Sequence, residues 1–265
     1  MNYVFDPDNW EWVTTGNNLR FILEGFAVNL EIAVIAMVLS LIAGLALALA
    51  RLSRWTPLSF VVGAWIDIWR NLPLIFIILY LALTIPGAWP DAYEDAIPSW
   101  FPEGLQSGRV LATILGLVLY NSAVLAEIMR AGILSLPRGQ GEAASALGMT
   151  YRQSMRYVVL PQGLRRMVPA TVSQLITLNK DTTLVSIVAI QEVMRHGRIV
   201  TGANFFGGVQ APILQVFLVI GALFIIVNLA LSRLSRLSRR LEVRESKRTA
   251  VGTVKRVRGL EEQAV

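Results

Sequence analysis

Residues 32–50 form an uninterrupted apolar run without a single charge, about 19 residues long. As an α-helix, a run of that length crosses roughly 30 Å of hydrocarbon. No water satisfies backbone N–H and C=O groups inside a bilayer, so a segment exposed to lipid must close its own hydrogen bonds as a helix. Further apolar stretches fall at about 58–85, 110–131, 168–193 and 212–231. Of the 265 residues 54% are hydrophobic and only 16% are charged, whereas a soluble domain keeps about 25% charged residues. The expected fold is all-α: a polytopic membrane helix bundle of about five transmembrane helices.

Loop charges set the expected orientation, because basic loops stay in the cytoplasm. Arg51 and Arg54 follow the first run. Residues 86–108 are acidic, with Asp91, Glu94, Asp95 and Glu103, and carry Trp89, Trp100 and Phe101 as an interfacial aromatic belt. Residues 135–166 hold Arg138, Arg152, Arg156, Arg165 and Arg166 against Glu142. Alternation then places the acidic N-terminus outside and the C-terminus inside. Residues 194–210, with Arg195, His196 and Arg198, are the exception, a basic and Gly-rich loop on the outer side.

The net charge of +6 resides in the tail, since residues 233–265 contain ten Lys/Arg and four Asp/Glu and the remainder balances. Directly after an apolar segment, such a tail reads as a cytoplasmic juxtamembrane segment in contact with lipid rather than a nucleic-acid-binding arm. Three regions are expected: an extracytoplasmic segment 1–19, a transmembrane domain 20–242 with the cytoplasmic loop 135–166, and a basic tail 243–265 that is disordered. Asp6, Asp8 and Glu11 replace the basic start of a signal peptide, so the first run is expected to remain in the mature protein.

The chain has no cysteine and one histidine, which removes thiolate and clustered imidazole metal sites. It lacks the G-x-x-x-x-G-K-[ST] phosphate loop. No catalytic residue, cofactor or metal is expected, and any ATP hydrolysis must belong to another subunit.

The most informative stretch is 142–161, EAASALGMTYRQSMRYVVLP. It is too polar to span and begins with strong helix formers. Gly148 suits a left-handed turn that ends a short helix opened by Glu142. A second amphipathic piece, 151–159, runs up to Pro161. A short helix held outside the membrane between two spans can dock in a partner's groove.

Glu142, Ala143, Ala144, Gly148, Val158, Leu160 and Pro161 resemble, in identity and spacing, the signature loop of the permease subunits of ATP-binding-cassette (ABC) importers. Val158 stands where the family usually has Ile. The segments 127–133 (EIMRAGI), 180–186 (KDTTLVS) and 70–74 (RNLPL) resemble the polar amino acid branch, and the likeness covers roughly 20–242. It implies ATPase subunits docked on the loop through Glu142, Ala143, Ala144, Gly148, Leu160 and Pro161. It also implies a second permease, identical or paralogous, an extracytoplasmic amino acid binding protein, and residence in a bacterial inner membrane. A glutamate, aspartate or glutamine substrate is the analogy's direction. A carrier driven by an ion gradient is the other class of function, although it would usually show inverted repeats and more spans.

Lys180 and Asp181 interrupt the fourth apolar stretch. Ionisable groups at that depth either pair to lock helices or face a water-filled path. Asn121 and Ser122, inside the third, either bond a neighbouring helix or line that path. Asp67 with Arg70, and Glu127 with Arg130, are spaced to meet on one helix face. Pro73 and Pro169 are candidate kinks.

Overall fold

The computed structural model describes residues 4–202, 211–233 and 236. The expectations for residues 203–210 of the Gly-rich loop and for the tail 243–265 lie outside them. Among the described residues, three helices are long and apolar enough to cross a membrane: α1 (Asn18–Arg51), α5 (Arg109–Leu134) and α9 (Ile213–Arg233). Between them lie α2 (Thr56–Asn71), α3 (Leu74–Thr84), α4 (Ala88–Ala96), α6 (Arg138–Ala146), α7 (Leu160–Asp181) and α8 (Val193–Gly202).

α5 is the centre of the bundle, with α1, α2, α3 and α7 all packed on it. Its Leu117, Ala123, Leu125 and Ala126 have no solvent exposure. Lipid is as apolar as Leu, so helices in a bilayer associate by close packing over small residues and by internal polar contacts. At Gly44 of α1, an added Cβ would lie 3.0 Å from both Leu125 Cβ and the Ser122 carbonyl of α5. At Gly163 of α7 it would lie 2.9 Å from Ile133 of α5.

The expected second span is not one helix. α2 and α3 meet at 98° and count as a fourth span only if taken together. The break falls at Leu72–Pro73, where Leu72 is extended at φ −81°, ψ 135° and Pro73 precedes the first turn of α3. Proline disfavours helical geometry in the residue before it. Pro169, by contrast, sits inside an unbroken α7.

The expected fourth span is also corrected. Its helix begins at Leu160, ends at Asp181, and gives way to 3₁₀ turns over Thr182–Val188. Lys180 and Asp181 therefore close a helix rather than interrupt one. α7 carries a polar stripe and is less apolar than the three long helices, yet it runs antiparallel to α5. Gly163 meets Gly132 and Ile133, and Gln174 bonds Asn121 further along. The supposed loop 194–210 begins as α8, with His196 buried and stacked 3.8 Å from Phe21. The acidic loop 86–108 contains α4, and Glu94 and Tyr93 close it by accepting from the Gly108 N–H and donating to the Leu105 carbonyl. Trp89 and Trp100 are exposed. The N-terminal segment is tied down by Trp12, which is fully buried with Ile22, Val200 and Ile220.

The basic 51–56 connection lies against the 135–166 loop: Arg54 sits 4.2 Å over the Tyr151 ring, and the Tyr151 hydroxyl donates to the Leu52 carbonyl. The bundle thus gathers its basic loops at one end.

The Gly44 contact gives a direct test of the α1–α5 crossing. Gly44→Leu should destabilise the protein by about 1–3 kcal/mol through overpacking, read as a lowered thermal midpoint in detergent. An unchanged midpoint would mean that the two helices do not approach there.

Candidate functional site

α6 projects at the end where the basic loops gather. It starts at Arg138, so Glu142 lies within the helix rather than opening it. Its C-terminus is closed as expected. Gly148 has φ +76°, its N–H donates to the Ser145 carbonyl, and the Met149 N–H donates to the Ala144 carbonyl. These two bonds and the left-handed residue make a Schellman motif, which satisfies otherwise orphaned carbonyls. No atom lies within 4 Å of a Cβ added at Gly148, so the requirement for glycine there is conformational and not steric.

Ala144 is the one buried residue of α6, at 3% exposure. The helix rests on that small side chain against the turn Met155–Val159. Glu142, Ala143 and Ala146 are exposed, and Leu147, which the sequence reading did not single out, is 82% exposed. The exposed face thus pairs a carboxylate with apolar side chains, as a helix docking in a groove requires. A cavity of about 630 Å³ beside it is lined by Arg54, Arg138, Glu142, Ser145 and Tyr151.

After Gly148 the chain re-enters helix through a capping box. The Thr150 hydroxyl accepts from the Gln153 N–H, and the Gln153 side chain accepts from the Thr150 N–H. The expected stop at Pro161 does not occur. The helical turn Tyr151–Ser154 widens into a π turn at Met155–Val159, where the Leu160 N–H donates to the Met155 carbonyl, and continues into α7. Proline lacks an N–H and crowds the carbonyl four residues back, and the widened turn accommodates both. The rod that begins at Tyr151 is therefore continuous with α7, and α6 is joined to it through the Gly148 turn and the extended Thr150. Leu160 is half-buried and Pro161 is exposed at the start of α7. Arg166 further ties α7 to the end of α5 by donating to the Ser135 carbonyl at 2.8 Å.

Along α7 the exposed positions include Arg166, Ala170, Ser173, Thr177 and Lys180, spaced three and four apart on one face. A charged and hydroxyl-bearing stripe on a helix at membrane depth is costly against lipid and belongs against water or protein. Ser173 and Thr177 were missed in the sequence because isolated hydroxyls carry no periodic signal until the helix limits are known. Neither Lys180 nor Asp181 makes an ion pair among the described residues.

Asn121 and Ser122 are buried on α5, behind that stripe. The Asn121 amide donates to the Leu117 carbonyl, and its oxygen accepts from Gln174 Nε2 at 2.8 Å. Ser122 donates to the Leu119 carbonyl. In this chain Asn121 makes the inter-helix bond of the two roles open to it. Glu127 and Arg130 form the expected pair at 2.7 Å, whereas Asp67 and Arg70 form no ion pair among the described residues.

At the opposite end of the bundle, a cavity of about 750 Å³ is lined by Phe21, Glu24, Glu31, Arg109, Gln191 and His196 among others. Ala189 on its wall has φ +61°, a strained conformation for a residue with a Cβ.

Residues 36–241 match the family described as binding-protein-dependent transport system inner membrane component. The chain is 35% identical over 229 residues to a probable glutamine ABC transporter permease protein of Bacillus subtilis (strain 168), covering 86% of this chain and 95% of the relative. It is 32% identical over 232 residues to a glutamate/aspartate import permease protein of Escherichia coli O6:H1, covering 87% and 98%. An arginine transport system permease protein of B. subtilis is 31% identical, covering 71% of this chain and 80% of the relative. The solved structure of an amino acid ABC transporter with histidines superposes with a TM-score of 0.68 at 27% identity, covering 84% of this chain and 94% of that one. A methionine ABC transporter in an inward-facing conformation shares the fold, with a TM-score of 0.57 at 22% identity. The chain belongs to the family of binding-protein-dependent transport system inner membrane components.

Proposed function

We propose that this chain is the permease subunit of an ATP-driven importer of polar amino acids in a bacterial inner membrane. It works with a second permease, separate ATPase subunits and an extracytoplasmic binding protein. The observation that carries this reading is the α6 module: a short helix seated on Ala144, closed by Gly148, presenting Glu142 and Leu147, and packed on the first turns of the rod that continues from Tyr151 into α7. A docked ATPase that moves α6 moves α7 with it, because α6 packs on the start of the rod that becomes α7 and only a short turn separates them. Rigid-body rocking about such a linkage is an established class of switching motion.

The exposed polar face of α7, with Ser173, Thr177 and Lys180, supplies one wall of the path. The second permease supplies the facing wall. The named substrates of the relatives, glutamine, glutamate, aspartate and arginine, support polar amino acids as the substrate class. ATP hydrolysis takes place in the partner subunit, so this chain contributes the path and the coupling and makes or breaks no covalent bond.

Two experiments test this reading. Reporter fusions at Leu52 and Gln153 should both be cytoplasmic and a fusion at Asp91 extracytoplasmic. A cytoplasmic result at Asp91 would overturn the orientation. Gly148→Val forces a β-branched residue into the left-handed region at a cost of at least about 1–2 kcal/mol, and Glu142→Lys inverts the charge on the docking face. Both variants should insert normally, lose ATPase subunits or lose hydrolysis stimulated by loaded binding protein, and lose uptake. Normal insertion with undiminished stimulated hydrolysis and uptake in both variants would remove α6 as the coupling element and favour a gradient-driven carrier.

A further inference from the structure

A buried polar network surrounds the end of α7, and of its members the sequence pointed only to Thr182, within the segment 180–186. At its centre is Asn29 of α1, with no solvent exposure. Its amide nitrogen donates to Thr182 Oγ1 and to Glu192 Oε2, both at 3.0 Å, and its oxygen accepts from the Val193 N–H at 3.0 Å. Thr182 and Glu192 are likewise fully buried. The second Glu192 oxygen accepts from the Arg195 N–H at 2.9 Å. Thr182 Oγ1 donates to the Asn179 carbonyl at 2.7 Å, and the Asn179 side chain donates to Asn228 of α9 at 3.2 Å. Four helices, α9, α7, α1 and α8, are thus joined through one chain of side-chain and backbone hydrogen bonds.

The network grips the residues on either side of the charged pair. Asn179 and Thr182 point inward and are held, whereas Lys180 between them is exposed. On a helix turning about 100° per residue, fixing positions 179 and 182 inward fixes the azimuth of 180. Asn29 accomplishes this from another helix, so the azimuth does not depend on α7 alone, whose regular turn changes to 3₁₀ geometry at Thr182.

We infer that Asn29, Thr182 and Glu192 are positioning residues for transport. They clamp the outer end of α7 so that Lys180 faces the path. The inference rests on the reading of α7 as a path-lining helix, and it assigns to α1 a role in shaping the path that the polar stripe alone does not reveal.

The chain contains no cysteine, so Lys180→Cys introduces a single thiol. Ser173→Cys, two turns away on the same stripe, serves as the reference. Each is placed in the full transporter in membrane vesicles and its labelling rate by a cationic, membrane-impermeant methanethiosulfonate is measured. Thr182→Val, which exchanges one hydroxyl for a methyl, is then added, and separately Asn29→Leu. The thiol at 180 should label at least tenfold more slowly in either background, the thiol at 173 should be unchanged, and Thr182→Ser should retain the original rate at 180. Rates at 180 within threefold of the original would overturn the inference, as would a parallel change at 173, which is general loosening of the bundle. No labelling at either position with the network intact would overturn the path reading itself. If Asn29→Leu fails to accumulate, Thr182→Val alone decides the outcome.

Discussion

A polar side chain at membrane depth has two affordable environments: other polar groups of the protein, or water. That constraint sorts the polar residues of this bundle. Asn29, Asn121, Thr182 and Glu192 are buried and bonded inside the chain. Ser173, Thr177 and Lys180 are exposed along one face of α7. The first group fixes how the helices sit against one another. The second group marks the face that lipid cannot cover. Leaving a buried hydrogen-bonding group without its partner costs about 1–3 kcal/mol, so the Asn29–Glu192 contact constrains the bundle more than a surface ion pair such as Arg20 with Glu24, which contributes about 0–1 kcal/mol.

The same economy governs the coupling module. α6 is held by a single small buried side chain and ends in a Schellman motif that leaves its last carbonyls satisfied. Nothing in that design needs a large apolar core, and the outer face remains free for a partner. The rigidity needed to pass on motion comes from the next segment, where the capping box at Thr150 and the π turn before Pro161 keep the chain helical into the membrane. A proline that stopped the helix would have added a second break, beyond the Gly148 turn, between the docking surface and the path.

Much of this was legible in the sequence, and the limits have physical causes. The apolar runs and loop charges gave the helical bundle and its segregated basic end, because hydropathy and charge act locally. Gly148 as a left-handed helix terminus was readable because few other residues fit there. The break at Pro73 was open as a kink, but its 98° angle depends on what α3 packs against. Pro161 misled because proline normally ends a helix, and the π turn that absorbs it leaves no compositional trace. The Asn29 network was invisible for a different reason: its partners are separated by 153 and 163 positions in the chain, and an isolated asparagine in an apolar run has no periodic signature.

The central claim is that transport through this chain is driven by ATP hydrolysed on the side where α6 projects. The most direct test is uptake of labelled glutamine, glutamate and arginine into proteoliposomes containing the chain with its ATPase, permease and binding-protein partners, with ion gradients collapsed. The account predicts accumulation of at least one of these amino acids when ATP is supplied on the α6 side, and none without ATP. Accumulation by this chain alone, driven by an imposed ion gradient in the absence of ATP, would contradict it.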